Sequence, residues 1–302
     1  MSIADPLNAW NAFFFEPEPT APLALFRVAF GALQVVNAVL LLPSLPRLFG
    51  PRAIVPLDTI KQAYGKHRFS LFLMLPDNNR TLYALWAALL TAAVCVCVGF
   101  ATRLAMIALF ALLVSFHHRN PCVANSGDTL SRLMAFLMIF APTADTLSVD
   151  AMLWPPNGRP ADDTTPTAAP WALRLMQLQV GIVYLRTVFW KLRGSMWRDG
   201  TAAYYPTQLV EYRRLAAPGW LLSPGFVAAA TWGTLVVEAA MGSLVWVREL
   251  RYPILIATAS MHLGLELLLN VGLFGWLMIA TMLLFIFPAD AVWLINGLGG
   301  ST

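Results

Sequence analysis

Charged residues are scarce in this sequence. Asp, Glu, Lys and Arg together make up 12% of the 302 residues, whereas hydrophobic residues make up 58%. A soluble domain usually spends about a quarter of its residues on charge, and the mean hydropathy of this chain is +0.65. Lipid must therefore replace water around most of the surface, and this excludes a soluble globular domain.

Cysteine is also rare, and the common catalytic motifs are missing. Cys95 and Cys97 lie inside an apolar run, and Cys122 stands alone, so their spacing fits neither a disulfide framework nor a metal site. No CxxC, Gly-rich phosphate loop or nucleophile elbow occurs in the sequence. We therefore predict no metal, and we interpret the cysteines as core residues.

Clustered positive charge is lacking as well. The net charge is +4, but no basic run with interleaved aromatic residues lies outside hydrophobic surroundings, so nucleic acid is not an expected partner. The first twenty residues contain no Lys or Arg, which predicts that a cleavable signal peptide is absent. The first hydrophobic run is then expected to serve as its own insertion signal.

Long hydrophobic runs dominate what is present. A membrane-spanning helix takes about 20 apolar residues. Eight apolar runs are candidates, some of them shorter than this: 22–42, 81–100, 104–116, 129–141, 171–192, 226–247, 252–269 and 272–287. We predict an all-α integral membrane protein, a bundle of about eight transmembrane helices with interfacial amphipathic segments and no sheet. The predicted organisation is an N-terminal segment (1–20), a transmembrane domain (21–293) and a C-terminal tail (294–302), with an exposed loop at 142–170. We expect a multi-pass protein of a bacterial-type cell (inner) membrane, with the lipid bilayer as its main partner.

Four ionisable residues stand out within these runs: Lys191, Glu238, His262 and Glu266. A charge in mid-bilayer costs at least about 2.5 kcal/mol, so each side chain needs protein, water or a counter-ion beside it. His262 and Glu266 are four residues apart, which places them on one helix face where they could hydrogen-bond. Gly242, one turn after Glu238, would permit close approach of a neighbouring helix.

A polar stripe also leads along the fifth run to Lys191. It has helical spacing and indicates a cavity wall; its members are Arg174, Gln177, Gly181, Tyr184, Val188 and Lys191. Arg186 lies on another face and requires its own counter-ion, which the sequence does not identify.

Structural roles are an alternative for each of these residues. Buried His–Glu and Lys–Glu pairs can simply fasten helices together, and Lys191 at the end of its run could extend to the lipid headgroups. We interpret Arg27 and Arg103 as structural residues that anchor their helices at the interface, and Asp128 with Arg132 as a helix-start ion pair.

The last two hydrophobic runs and the proline after them contain the pattern His262-Leu263, Gly272, Phe274, Trp276, Met278, Ala280, Leu284-Phe285 and Pro288. This pattern resembles the closing membrane segment of vitamin K-dependent gamma-carboxylases. Further matches are Ile182-Val183-Tyr184 through Lys191-Leu192, Trp197, Asp199-Gly200, Phe26-Arg27, Phe30-Gly31, Gly99, Arg103, Ser148-Val149-Asp150, and Glu238 with Gly242. They run from about residue 25 to residue 293, the region known as the horizontally transferred transmembrane (HTTM) domain.

The resemblance implies a membrane lysine that acts as base on reduced vitamin K, and it places that lysine at Lys191. Tyr184, Gln177, Glu238, His262 and Glu266 would then line or support an internal polar cavity. The family has a histidine near 125–128, where this chain reads Asn-Ser-Gly-Asp, and a large extramembrane region after the HTTM part, which we expect this chain to lack. The resemblance thus implies a carboxylase-like scaffold rather than full vitamin K-dependent carboxylation.

Two functions from different classes follow. The first is a stand-alone HTTM protein that binds a quinol-like or other amphipathic ligand, with a reduced quinone as the implied cofactor, and performs base chemistry on it or on a peptide through Lys191. The second is a non-catalytic membrane module that recruits a peptide or membrane-protein partner for maturation or export. A transporter is less favoured, because no inverted repeat with paired broken helices is evident.

Overall fold

The structure is a computed structural model that describes residues 4–64, 68–154 and 165–298. The turn chemistry at 155–158, within the predicted loop, and the end of the predicted C-terminal tail at 299–302 lie outside the described residues. Side-chain burial is described for residues 6–64, 68–154 and 165–297.

Helices make up most of the described chain, as the hydropathy predicted. The first nine α-helices are α1 (Ala4–Phe15), α2 (Ala21–Leu41), α3 (Leu45–Phe49), α4 (Leu57–Tyr64), α5 (Leu71–Met74), α6 (Asn79–Val98), α7 (Thr102–Arg119), α8 (Ser126–Phe140) and α9 (Val149–Leu153). The others are α10 (Trp171–Lys191), α11 (Ser195–Arg198), α12 (Tyr204–Gln208), α13 (Pro224–Ser243), α14 (Arg251–Leu268), α15 (Phe274–Thr281) and α16 (Pro288–Leu298). Short 3₁₀ turns occupy Leu42–Ser44, Pro121–Val123, Gly219–Leu222, Leu244–Trp246 and Met282–Phe285.

Three stretches of the described chain are long and apolar enough to cross a membrane: Ala21–Phe49, Asn79–Val98 and Pro224–Trp246. The number rises to four if Phe274–Phe285 and Pro288–Gly297 form one broken span. Each predicted run does contain a helix, but the predicted total of eight spans is not confirmed. At 15 residues, α8 is about 22 Å long, shorter than the ~30 Å hydrocarbon core of a bilayer.

The prediction of no sheet is wrong in one small detail. β1 (Glu18–Pro19) and β2 (Thr167–Ala168) form a two-stranded antiparallel ladder in which Glu18 pairs with Ala168. Glu18 precedes a proline, and that position favours extended backbone. The predicted exposed loop at 142–170 therefore contains a strand, as well as the short helix α9.

The chain divides into two compact units, and the first comprises Met1–Leu173 with Pro288–Thr302. Within it, α2 packs closely against α6 at Gly31, where an added Cβ would lie 2.5 Å from the Cα of Cys97. Only a glycine permits two helix backbones to approach this closely. The polar stretch after α2 folds into the short helices α3 to α5.

The second unit comprises Arg174–Phe287. It contains most of α10 together with α11 to α15, and within it α14 packs against both α13 and α15. Lys191, Glu238, His262 and Glu266, which stand out within the hydrophobic runs, all belong to this unit.

Candidate functional site

Lys191 and Glu238 form a close ion pair within the second unit. The Nζ atom of Lys191, the last residue of α10, lies 2.6 Å from Oε1 of Glu238 in the C-terminal half of α13. The Lys191 side chain is 19% exposed and that of Glu238 is 8% exposed. The Lys191 ammonium also lies 4.4 Å from the centroid of the Trp197 ring. The side chain is thus held by protein groups rather than extended freely toward a headgroup region.

Small residues bring α10 and α13 close enough for this pair. A Cβ added to Gly242 would lie 2.6 Å from Cγ of Leu185, and one added to Gly181 would lie 3.5 Å from the Gly242 carbonyl oxygen. The predicted role of Gly242 in close helix approach is confirmed, because a larger side chain would force the helices apart one turn after Glu238.

Tyr184 and His262 form a second buried pair. The Tyr184 hydroxyl lies 2.9 Å from Nε2 of His262, and the two residues are 2% and 4% exposed. Tyr184 lies within electrostatic range of Glu238, and His262 lies within range of Lys191. The four side chains from α10, α13 and α14 therefore form one polar cluster, which we call the Lys191 cluster.

Glu266 is buried beside this cluster, but it bonds elsewhere. Its Oε1 accepts a hydrogen bond from the Gly275 amide at 3.1 Å, and its Oε2 lies 3.3 Å from a guanidinium nitrogen of Arg214. The hydrogen bond between His262 and Glu266 that their spacing suggested is not formed, because His262 bonds Tyr184 and Glu266 turns toward the start of α15. Both residues are buried in the protein interior, as predicted.

Gln177 belongs to the predicted polar stripe but contacts different groups. Its Nε2 donates to the Leu284 carbonyl at 2.6 Å, and its Oε1 accepts from Arg174 at 3.2 Å. The stripe thus has two parts. Gln177 fixes α10 to the turn that follows α15, whereas Tyr184 and Lys191 enter the Lys191 cluster.

Two polar atoms of the Lys191 cluster have no partner. Oε2 of Glu238 and Nδ1 of His262 are enclosed and make no hydrogen bond to any part of the chain that the structure describes. A buried polar atom without a partner costs about 1–3 kcal/mol, so most such atoms in folded proteins are satisfied by protein, water or ligand. These atoms are the points at which a ligand could complete the site.

Arg27, predicted as an interfacial anchor, is instead fully buried in the first unit. Its guanidinium donates to the carbonyls of Val96, Cys97 and Leu147, the first at 2.9 Å. The physical reason is that α6 ends at Gly99, whose left-handed φ of 72° leaves the last carbonyls of the helix in need of donors. Arg103, in contrast, is exposed in the first turn of α7.

Asp150 completes the same arrangement from α9. Its carboxylate accepts hydrogen bonds from the amides of Ala101 and Thr102 at 2.7 and 2.8 Å, and from the Thr102 hydroxyl at 2.7 Å. Burial raises the pKa of Asp150, but the hydrogen bonds from Thr102 and Ala101 and the charge of Arg27 outweigh it, so the pKa lies below its usual value. These contacts fix the turn between α6 and α7.

Sequence reasoning missed Arg119 and misassigned Asp128. Arg119, at the end of α7, is fully buried and donates to the carbonyls of Val55 and Gly50, both at 3.0 Å. Asp128 accepts from the Asn125 amide in a capping box and lies 3.5 Å from His117, rather than forming the predicted ion pair with Arg132. An arginine that follows a hydrophobic run gives no signal that separates burial from exposure.

The long apolar helices, with charged side chains buried among them, define an integral membrane protein. The HTTM domain family matches residues 15–290, nearly the whole chain, so this protein belongs to the HTTM domain family. The uncharacterized protein YitO of Bacillus subtilis is 24% identical over 236 residues, which cover 75% of this chain and 74% of that protein. No solved structure matches the chain.

Proposed function

We propose that this HTTM protein spans a bacterial-type cell (inner) membrane eight times. The three stretches that meet the length and hydropathy requirements would be joined by the helices formed at the other predicted runs. Support comes from the family match across nearly the whole chain and from a relative in a bacterium. Short or polar helices can cross a bilayer when protein neighbours cover their polar groups.

Within that arrangement, the Lys191 cluster would line an internal polar cavity that binds an amphipathic, hydroxyl-bearing ligand of the quinol type. The observation that carries this proposal is the pair of enclosed polar atoms without partners, Oε2 of Glu238 and Nδ1 of His262. A quinol hydroxyl could donate to the carboxylate oxygen, and a ring oxygen could bond the imidazole. Such a ligand would fill both vacant hydrogen-bonding positions while its apolar body lies among apolar helices.

The chemistry would be proton abstraction by Lys191. The 2.6 Å contact allows the lysine proton to pass to Oε1 of Glu238, which leaves a neutral amine beside a carboxylic acid. A ligand hydroxyl could then transfer its proton to the Lys191 nitrogen, so that the O–H bond breaks and an N–H bond forms, leaving an oxyanion next to an ammonium ion. Tyr184, through its bond to His262, would hold the imidazole in position. The resemblance to the gamma-carboxylases supports the same role for Lys191.

The alternative is a non-catalytic module whose polar pairs fasten helices and whose loops recruit a peptide or membrane-protein partner for maturation or export. One observation favours it. Lys191 on α10 is already paired with Glu238 on α13, and Tyr184 on α10 is already paired with His262 on α14. A fastening role would satisfy these four groups without any ligand. It would leave Oε2 of Glu238 and Nδ1 of His262 unexplained.

A comparison of two variants tests the ligand proposal. His262→Phe and Tyr184→Phe both remove the Tyr184–His262 hydrogen bond, but only His262→Phe removes the unpartnered Nδ1. Wild type and both variants would be purified in mild detergent, and quinone in their organic extracts would be quantified per mole of folded protein by mass spectrometry. We expect quinone in the wild type and in Tyr184→Phe, with a marked loss in His262→Phe. Absence of quinone from the wild type, or equal amounts in both variants, would contradict the proposal.

A further inference from the structure

Two arginines contact the same pair of aromatic rings on the outer side of α10 and just beyond its end. The guanidinium carbon of Arg186 lies 5.7 Å from the Phe189 ring centroid and 5.1 Å from the Trp190 centroid. The corresponding distances from Arg193 are 4.1 and 5.0 Å. Phe189 is 46% exposed and Trp190 is 53% exposed, and both arginines are exposed as well. We call these four residues the arginine–aromatic patch.

Neither guanidinium has an anionic partner in the described part of the chain. Within residues 4–64, 68–154 and 165–298, no side-chain hydrogen bond or ion pair reaches Arg186 or Arg193, although five other arginines do donate to carbonyl or carboxylate oxygens: Arg27, Arg119, Arg174, Arg214 and Arg251. The counter-ion that the sequence required for Arg186 is therefore not supplied by the described chain. Arg193 follows Arg186 by seven positions, close to two turns of a helix, and lies two residues beyond the end of α10.

An outward-facing arginine near the end of a membrane helix needs an anion from its surroundings. Guanidinium groups in apolar surroundings are costly unless paired, and aromatic faces only partly replace a counter-ion. A Trp beside the charges is typical of the level of the lipid headgroups. This step rests on the proposal that α10 lies in the membrane.

We propose that the arginine–aromatic patch is a binding site for the headgroup phosphate of an anionic phospholipid. The planar guanidinium offers paired N–H donors that match two phosphate oxygens. Both arginines carry unused donors, and the aromatic rings hold them on one side of the helix. The lipid tails would run along the apolar exposed surface of α10, where Leu185 and Ile182 are 45% and 58% exposed.

Native mass spectrometry in a neutral detergent tests the site directly. Wild type, Arg186→Gln, Arg193→Gln, the double variant and the control Arg103→Gln would each be titrated with phosphatidylglycerol and, separately, with phosphatidylcholine. A basic residue near an anionic lipid surface contributes about fivefold in affinity, so we expect roughly fivefold weaker phosphatidylglycerol binding in each single variant and roughly thirtyfold in the double variant. Arg103→Gln, which changes an exposed arginine elsewhere, should bind like the wild type, and phosphatidylcholine should bind more weakly to the wild type than phosphatidylglycerol does.

Three results would overturn the site: unchanged phosphatidylglycerol binding in the double variant, equal wild-type affinity for both lipids, or a double variant that lowers the oligomeric state in lipid-free detergent. The last result would show that the arginines pair with another copy of the chain. The single variants keep the test decisive if the double variant does not fold. Quinone measured on the same samples separates this proposal from the proposed quinol site at the Lys191 cluster. Lipid binding can be lost while quinone is retained, and quinone can be lost while lipid binding is retained.

Discussion

Lys191 Nζ lies 2.6 Å from Oε1 of Glu238, and the pair joins the last residue of α10 to the C-terminal half of α13. The other carboxylate oxygen of Glu238 has no partner among the described residues. Glu238 is therefore paired through only one of its two carboxylate oxygens. A ligand-binding arrangement uses such a free acceptor, whereas a simple helix fastener does not, and the consequences of each can be measured.

Breaking the pair from one side should be costly. Lys191→Met leaves a buried carboxylate without a cation, which typically lowers the free energy of unfolding by about 3–5 kcal/mol. Adding Glu238→Gln in the same chain removes the stranded charge, so the double variant should be more stable than Lys191→Met alone. Thermal melting of the purified proteins in detergent checks this order. Additive losses in the double variant would mean that the two residues do not interact.

Gly242 should tolerate no side chain. Gly242→Ala places a Cβ 2.6 Å from Cγ of Leu185, and overpacking of this kind costs about 1–3 kcal/mol. The widened α10–α13 contact should also lengthen the Lys191–Glu238 distance and lower ligand retention. Gly233→Ala on the same helix is the matched control, because its Cβ meets no atom within 4 Å. Equal melting temperatures for the two variants would refute the close-packing explanation.

Asp150 should make the stability of the first unit dependent on acid pH. Its pKa is lowered in the folded protein, so its contribution is fully present above the unfolded pKa of about 3.9 and is lost as pH falls through the lower folded value. Asp150→Asn should lower stability at neutral pH by about 1 kcal/mol and flatten the acid dependence. Melting curves between pH 3 and pH 7 provide the test. Asp58→Asn is the control, since that carboxylate is 86% exposed; the idea fails if both variants show the wild-type profile.

Arg27 should be irreplaceable even by lysine. It donates to three carbonyls from a fully buried position, and a lysine ammonium cannot reproduce the planar fork. Arg27→Lys should destabilise the protein by about 1–3 kcal/mol, the cost of stranded buried acceptors. Arg103→Lys, at an exposed position, should melt like the wild type. A melting temperature for Arg27→Lys equal to that of Arg103→Lys would return Arg27 to the role of an interfacial anchor.

The helices were largely predictable, because long apolar runs with breakers at their ends allow few other structures in lipid. Burial of Glu238, His262 and Glu266 was also predictable, since a charge in such a run must turn toward protein. The number of membrane spans was harder to predict. Hydropathy locates a helix, but helix length and neighbouring helices decide whether it crosses the bilayer.

The pairing within the site could not be read from the sequence. The spacing of His262 and Glu266 places both on one face of α14, but the choice of partner depends on which atoms other helices present, and those were Tyr184 for the histidine and Gly275 with Arg214 for the glutamate. Arg27 was misassigned for the same reason. An arginine in the first turns of a helix is compatible with a headgroup contact or with distant carbonyls, and only the fold distinguishes them.

The most direct test of the central claim measures quinone retention and melting temperature together on Lys191→Met, with the exposed Lys61→Met as control. If Lys191 is the proton acceptor of a ligand site, Lys61→Met should retain quinone like the wild type, whereas the Lys191→Met protein that remains folded should lose it. Unchanged quinone in Lys191→Met, together with a lowered melting temperature, would contradict the account and leave Lys191 as a helix fastener.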